Sequence, residues 1–446
     1  MPASSRPRLR GVSALLSLPL VFAAFFAVGA PAQQGPTERV RIVVTPPGEQ
    51  KVVLGLPKPI GGAGAATEFY DVLRRDLELS GYVTLLDPAA QVEPAGTGIR
   101  PGQFRFEDWS VLGAPALAKT LLQSRDGGEL YAEVWTYDVN GRARLGARSF
   151  SAKGEDARLV AHKVASEIIL RLTGKAGPFN TRFALSGNFS GNKEIYTVDF
   201  DGYRLTPVTR TGSINIQPAW SPDARRIAYT GYAAGNPDLY VADLSGGKIT
   251  RLSARAGINS GAAWHPRGGL IALTLSVGGD SDIFTIDAGT GRQLARLTDA
   301  VGIDVSPAFS PDGSKVAFVS ERGGSPQIYV ANADGSNAKR VTFSGNYNQD
   351  PVWHPDGDKL AFVGREGNFD IFVVNADGSG LTRLTQGKGD NEDPSWAPDG
   401  NYVAFSSNRT GANHIWMSTL DGAHQVQLTR GKGGYTNPDW SPTLPW

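Results

Sequence analysis

The chain has 446 residues with 44 Lys and Arg against 43 Asp and Glu, a formal charge of +1, and so lacks the positive excess that holds nucleic acid. It contains no cysteine, which excludes disulfides, thiol catalysis and cysteine-ligated metals while leaving the compartment open. Its 55 glycines and 29 prolines suit a turn-rich β protein, and its length allows two or more domains.

Residues 1–32 read as a secretory signal peptide. Arg6, Arg8 and Arg10 precede an apolar run over 12–28, and Ala30-Pro31-Ala32 supplies a small-residue cleavage site. Cleavage before Gln33 removes three arginines and no acid, taking the charge from +1 to −2. No lipobox cysteine and no second apolar span follow, so the mature chain is expected to be soluble outside the cytoplasm, without membrane insertion.

Residues 33–175 lack any repeat and read as a small α/β domain. The run from Val40 to Val44 predicts a strand. From Thr67, apolar residues Phe69, Val72, Leu73 and Leu77 recur at helical spacing up to Gly81, and a strand from Tyr82 follows. Two more strands are predicted from Ala116 and from Glu129, the second turning at Asn140-Gly141. A helix over 156–172 then places Leu159, Val164, Ile168 and Leu172 on one face. The glycine-rich stretch Gly62-Ala-Gly64-Ala-Ala-Thr67 only superficially suggests a dinucleotide fingerprint: Thr67 stands where a third small residue belongs, and Pro57 and Pro59 interrupt the strand before it.

Residues 176–446 are organised by a repeat. Aromatic anchors fall at Trp220, Trp264, Phe309, Trp353, Trp396 and Trp440, spaced by 44, 45, 44, 43 and 44 residues. After each of the first five comes Ser-Pro-Asp-Gly or a variant, then a strand such as Lys315 to Phe318, a second such as Asp370 to Val374, and in most copies an Asp-Gly or Gly-Gly hairpin. Four short strands at this period make a propeller blade. The array begins at its second strand, from Thr181, and ends on a first strand, from Asn437, so the two fragments complete one blade and close the ring. The predicted fold is therefore an all-β six-bladed β-propeller preceded by a small α/β domain.

Few residues suggest chemistry. The five histidines lack ligand spacing, and His265 and His354 occupy the Ser position of the repeated turn, which predicts a surface turn. Asp199-Phe-Asp-Gly reads as a hairpin, since the other spaced ligands of a calcium loop are missing. The aromatic anchors are expected in the core between sheets. Five residues before the anchors stand Asn215, Asn259, Asp304, Asn348, Asn391 and Tyr435, and three before them Gln217, Gly261, Ser306, Asp350, Asp393 and Asn437. Entering the innermost strands, both sets are expected to ring one mouth of the central channel. There, turn-making and partner-binding roles compete evenly. Asp304, Asp350, Asp390, Glu392 and Asp393 make part of that mouth acidic, suited to a cation such as calcium or to a basic partner segment.

The order of signal peptide, α/β domain, the junction Leu-Thr-Gly-Lys-Ala-Gly-Pro-Phe from Leu172 and six blades of the Pro-x-Trp-Ser-Pro-Asp-Gly type resembles the TolB family over essentially the whole chain. That resemblance implies a monomeric periplasmic scaffold without catalytic activity or cofactor, serving outer-membrane integrity and constriction at cell division. It also implies two partners. The lipoprotein Pal would cover the channel mouth, mapped here to Asn215, Asn259, Asp304, Asn348, Asp350, Asn391 and Asp393. TolA would bind the segment after the signal peptide, Glu38, Arg39, Val40, Arg41, Ile42, Val43, Val44 and Thr45. The blade turns depart from the motif at Ala224 and at Arg267-Gly268-Gly269. The competing reading is a secreted propeller enzyme acting on glycans through carboxylates such as Asp350 and Asp393, or a ligand or metal sensor.

Overall fold

The computed structural model describes residues 51–91, 93–94, 97–154, 156–277 and 279–444. The signal peptide, the strand at Val40 and the segment 38–45 lie outside the described residues.

The α/β domain comprises β1 (Val52–Gly55), β2 (Ile60–Gly61), α1 (Ala65–Leu79), β3 (Val83–Leu85), α2 (Phe106–Val111), β4 (Ala116–Arg125), β5 (Glu129–Asp138), β6 (Ala143–Lys153) and α3 (Ala157–Thr173). The strands form one sheet in the order β3-β1-β4-β5-β6, parallel at β3-β1-β4 and antiparallel from β4 onward, with β2 also pairing β4. Both predicted helices form for the reasons their sequences give. Phe69, Val72, Leu73 and Leu77 of α1 are buried, and Gly81 leaves the helix at φ 71°. Asp156 caps α3 by accepting from the Leu159 N–H at 2.9 Å, and left-handed Gly174 ends it. α2 and β6 were not legible. Trp109 is the sole buried residue of the six in α2, and β6 buries only Phe150 and Ala152, so neither shows a period.

Five four-stranded antiparallel sheets follow one another as blades 1 to 5, each in chain order from the channel outward. Their inner strands are Asn215–Trp220, Asn259–Trp264, Asp304–Phe309, Asn348–Trp353 and Asn391–Trp396. The closing blade joins Tyr435–Trp440, its inner strand, to Arg182–Gly187, Glu194–Asp199 and Thr206–Pro207. The ring is thus shut by chain segments about 250 residues apart, with Trp440 paired to Phe183 and the Trp440 indole donating to the Thr181 hydroxyl at 2.7 Å.

The anchors are buried, 5–9% exposed. Three of them also stitch blades together: the indole N–H groups of Trp264, Trp353 and Trp396 donate to the carbonyls of Ala219, Ala308 and Val352 in the preceding blades, at 3.0, 3.0 and 3.1 Å. The histidine expectation needs correction. His354 is buried and meets Trp396 edge-on at 4.7 Å, while His265 meets Phe309 at 5.0 Å. The turn carries these rings over the next blade's anchor, so His354 extends the core while His265 stays half-buried at its edge.

The α/β domain docks on the end of the propeller that carries the Ser-Pro-Asp-Gly turns. One continuous core runs from Phe69, Leu73 and Ile168 to Phe183, Tyr402 and Met417. The closing blade's Asp199-Phe-Asp-Gly hairpin is held between α1 and α3. Arg158 donates to both carboxylate oxygens of fully buried Asp201 at 2.6 Å, Arg75 donates to the Asp201 carbonyl, and Arg204 pairs twice with the cap residue Asp156 at 2.8 Å. Beside them His162 Nδ1 lies 2.7 Å from Asp76. Burial raises the Asp76 carboxyl to about 6; burial also opposes charge on His162, but Asp76 outweighs it and lifts the imidazole above its ordinary range. Tyr402 closes the contact, donating its hydroxyl to the Ser80 carbonyl at 2.6 Å.

Candidate functional site

The two sets of residues expected at one mouth part company. Asn215, Asn259, Asp304, Asn348 and Asn391 are 0–3% exposed, and their side chains turn into the seams between blades. Asn215 Nδ2 donates to Glu194 at 2.8 Å, Asn348 Nδ2 to Gln327 at 2.9 Å and Asn391 Nδ2 to Asp370 at 3.0 Å, each partner lying in the preceding blade. Asn259 accepts from the Ser253 hydroxyl at 2.6 Å, and Asp304 from Arg322 at 3.0 Å. Their placement on the mouth surface is therefore corrected. Burial demands that such polar groups be bonded internally, and each is, although Asp304 bonds through Oδ2 alone and its Oδ1 is left without a partner.

The residues two positions later face the channel. Gln217, Ser306, Asp350, Asp393 and Asn437 hold φ between 51° and 54°, and Gly261 holds 64°. Left-handed backbone costs a non-glycine residue roughly 1–2 kcal/mol, here repeated around the ring. The pairing register slips at this point in every inner strand, for example between Ile216 and Ala219 and between Gln349 and Val352. Such a bulge bends the strand and re-aims a side chain. The six residues line a cavity of about 360 Å³ that extends past Pro218, Pro307 and Pro351 toward the turns at Pro222 and Pro311.

Within the ring, neighbouring blades are hydrogen-bonded. Ser306 donates to Asp350 at 2.9 Å, and Asn437 donates to Asp393 through its backbone N–H at 3.0 Å and its amide at 2.8 Å. Burial, then the Asp393 charge, raises the Asp350 carboxyl to about 6. Glu392 is pushed to about 7 by burial and then by Asp393, Asp390 and Asp350. Burial also raises Asp439 to about 7, although its carboxylate accepts from the Trp220 N–H at 2.6 Å. The acidic side of the channel is thus a set of mutually repelling carboxyls that a cationic group would stabilise. Among the described residues no three acidic or imidazole groups converge closely enough to hold a metal ion.

A third set escaped the sequence reading. Immediately before the buried Asn and Asp stand Ile214, Ile258 and Ile303, 46%, 39% and 43% exposed. Val301, in the same loop as Ile303, and Phe343, ahead of blade 4, are also exposed. Val301 and the three isoleucines lie where the inner strands begin, at the end of the propeller opposite the α/β domain, whereas Phe343 lies beside Arg340 and the outer hairpin of blade 4 at Gly378. The available signal was an apolar residue six before the anchor in blades 1 to 3, giving way to Asp390 and Gly434 in blade 5 and the closing blade.

A six-bladed propeller docked at one end on an α/β domain, with a lined channel and an apolar crescent at the other, is the class this architecture defines. Residues 169–444 match the family model of the TolB beta propeller domain, and residues 40–145 match that of the TolB amino-terminal domain. The chain belongs to the TolB family. It is 37% identical over 193 residues to the Tol-Pal system protein TolB of Syntrophotalea carbinolica, covering 42% of this chain and 45% of that protein. It is 40% identical over 194 residues to that of Geobacter sulfurreducens, covering 42% and 44%. The matches thus span somewhat under half the length of these relatives. The crystal structure of TolB from Acinetobacter baumannii is similar with a TM-score of 0.80 at 26% identity, covering 89% of this chain and 98% of that one.

Proposed function

We propose that the protein works in the periplasm as the propeller component of a Tol-Pal system, a binding scaffold rather than a catalyst. Pal docks on the free end of the propeller over the channel, and residues 38–45 add a strand to the sheet of TolA. Joining these partners links the inner membrane to the outer membrane and peptidoglycan, serving envelope integrity and constriction at division. The observation that carries the reading is the free end itself. Exposed Ile214, Ile258 and Ile303 stand three residues ahead of a channel ring that is polar, strained and acidic on one side, with Val301 in the loop of Ile303, an apolar anchor at the strand starts before polar positioning groups deeper in the channel.

Calorimetric titration against Pal tests it. Changing Ile214 and Ile303 together to Asp is expected to weaken binding at least about tenfold, since buried interface anchors contribute roughly 2 kcal/mol each, with the melting temperature unchanged. Unaltered affinity would place Pal elsewhere. Removal of residues 38–45 should abolish TolA binding and leave Pal binding intact; TolA binding that survives the deletion refutes the second half of the proposal.

A further inference from the structure

Two blades share an arginine arrangement but differ in one carboxylate. In blade 3 the Arg322 guanidinium lies over the rings of Phe318 and Tyr329, at 5.3 and 5.1 Å, donates Nε to Ser320 and donates Nη2 to Asp304 at 3.0 Å. In blade 5 Arg409 lies over Phe405 and Trp416, at 5.3 and 4.6 Å, and donates Nε to Ser407. The position of Asp304 is here Asn391. Arg409 Nη2 donates to the Asn391 amide oxygen at 2.5 Å and Nη1 to Gln425 at 2.6 Å, so all three partners are neutral. A guanidinium has five N–H donors, and further ones remain for an acceptor.

The neighbouring carboxylate does not fill the gap. Asp370 is held by Arg383 at 2.5 Å, by the Thr385 hydroxyl at 2.6 Å and by Asn391. The junction of blades 2 and 3 sets Asp282 and Asp304 against Arg296 and Arg322, whereas at that of blades 4 and 5 both carboxylates, Asp370 and Glu366, pair with Arg383, and Arg409 is bonded to neutral groups alone. Arg409 borders a groove of about 530 Å³ on the propeller flank, together with Arg383, Lys388 and Trp416. The Trp416 indole N–H is buried there without an acceptor. Asp421 borders the same groove, but its carboxylate is bonded within its own hairpin to the Thr419 hydroxyl and the Ala423 N–H.

We infer that this groove binds a carboxylate, which gives Arg409 the charge that Asp304 gives Arg322, beside the Trp416 ring on which Arg409 lies. Arginine's planar fork suits that group. The carboxylate belongs either to a small free acid or to an acidic side chain of a peptide, and two titrants separate these sources. None of the groove residues lines the channel, so the inference stands apart from the docking of Pal.

Nitrogen-15 TROSY spectra of the whole protein, with the Trp416 indole signal assigned from a Trp416→Phe variant, are titrated with sodium succinate and with hexaglutamate. Sodium chloride and sodium phosphate at matched ionic strength serve as references. A saturable shift of that signal with a carboxylate, at concentrations where the references leave it in place, is the expected result. Tighter binding of hexaglutamate per carboxylate assigns the groove to a protein segment, and equal binding to a free acid. Losing one charged hydrogen bond should weaken affinity about tenfold in Arg409→Gln. Asn391→Asp should weaken it comparably by restoring an internal counter-charge. Melting curves establish that each variant folds, and either one suffices. An equal shift with chloride or phosphate, or full affinity in a folded variant, overturns the inference.

Discussion

The two ends of this propeller are built from the same repeat and do opposite things with their polar groups. At the docked end, charges are buried against the α/β domain: Asp201 is fully enclosed and answered by Arg158, and Tyr402 reaches across to Ser80. At the free end, Asn215, Asn348 and Asn391 are drawn into the blade seams, leaving Ile214, Ile258 and Ile303 on the surface. One end spends its buried charge on holding a domain in place. The other keeps apolar surface uncovered, which stability alone does not explain.

The sharpest way to break this contrast is at the docked end. Arg158→Ala strands the Asp201 carboxylate without its main counter-charge, and breaking such a buried pair costs roughly 3–5 kcal/mol. Urea denaturation should show that loss; a change below about 1 kcal/mol would mean that the contact is held by its apolar core alone. At the free end the double Asp change at Ile214 and Ile303 should move stability little while weakening Pal binding.

The channel gives an intermediate effect with a definite sign. Glu392 has a folded pKa of about 7 against an ordinary 4.5, so the folded state holds its proton more tightly. Stability is therefore greatest below the ordinary value and falls as pH rises toward 7. Glu392→Gln should melt higher than the parent at pH 8 by ~1 kcal/mol, allowing for solvent screening of a partly exposed group, with the gain vanishing below pH 4.5. A gain that persists at low pH would trace to packing rather than to charge. The smallest expected effect lies in the turns. Ala224 holds φ 56° where other blades place Gly313, Gly357 and Gly400, so Ala224→Gly should stabilise by ~0.5–1 kcal/mol. No gain would mean that the methyl group's contacts offset the strain.

The sequence by itself determined the number of blades, the split blade that closes the ring, the burial of the anchors and both long helices. Each follows from a local rule repeated often enough to be unmistakable: an aromatic residue at a fixed interval, a Pro-Asp-Gly turn, a helical apolar period. Only the tertiary structure decided which residues meet the channel. Residues two apart in a strand share a face, so positions 215 and 217, or 348 and 350, appeared equivalent. The left-handed residue at the bulge breaks that alternation, sending Asn348 into a seam and Asp350 into the channel. The hairpin at Asp199 was likewise legible as a turn but not as the tongue gripped at Asp201 by Arg158 and Arg75, because these partners lie 43 and 126 residues away from Asp201 in a domain without the repeat. Local chemistry fixes elements; the direction of a side chain at a distortion, and the partner it meets, depend on the closed ring and the docked domain.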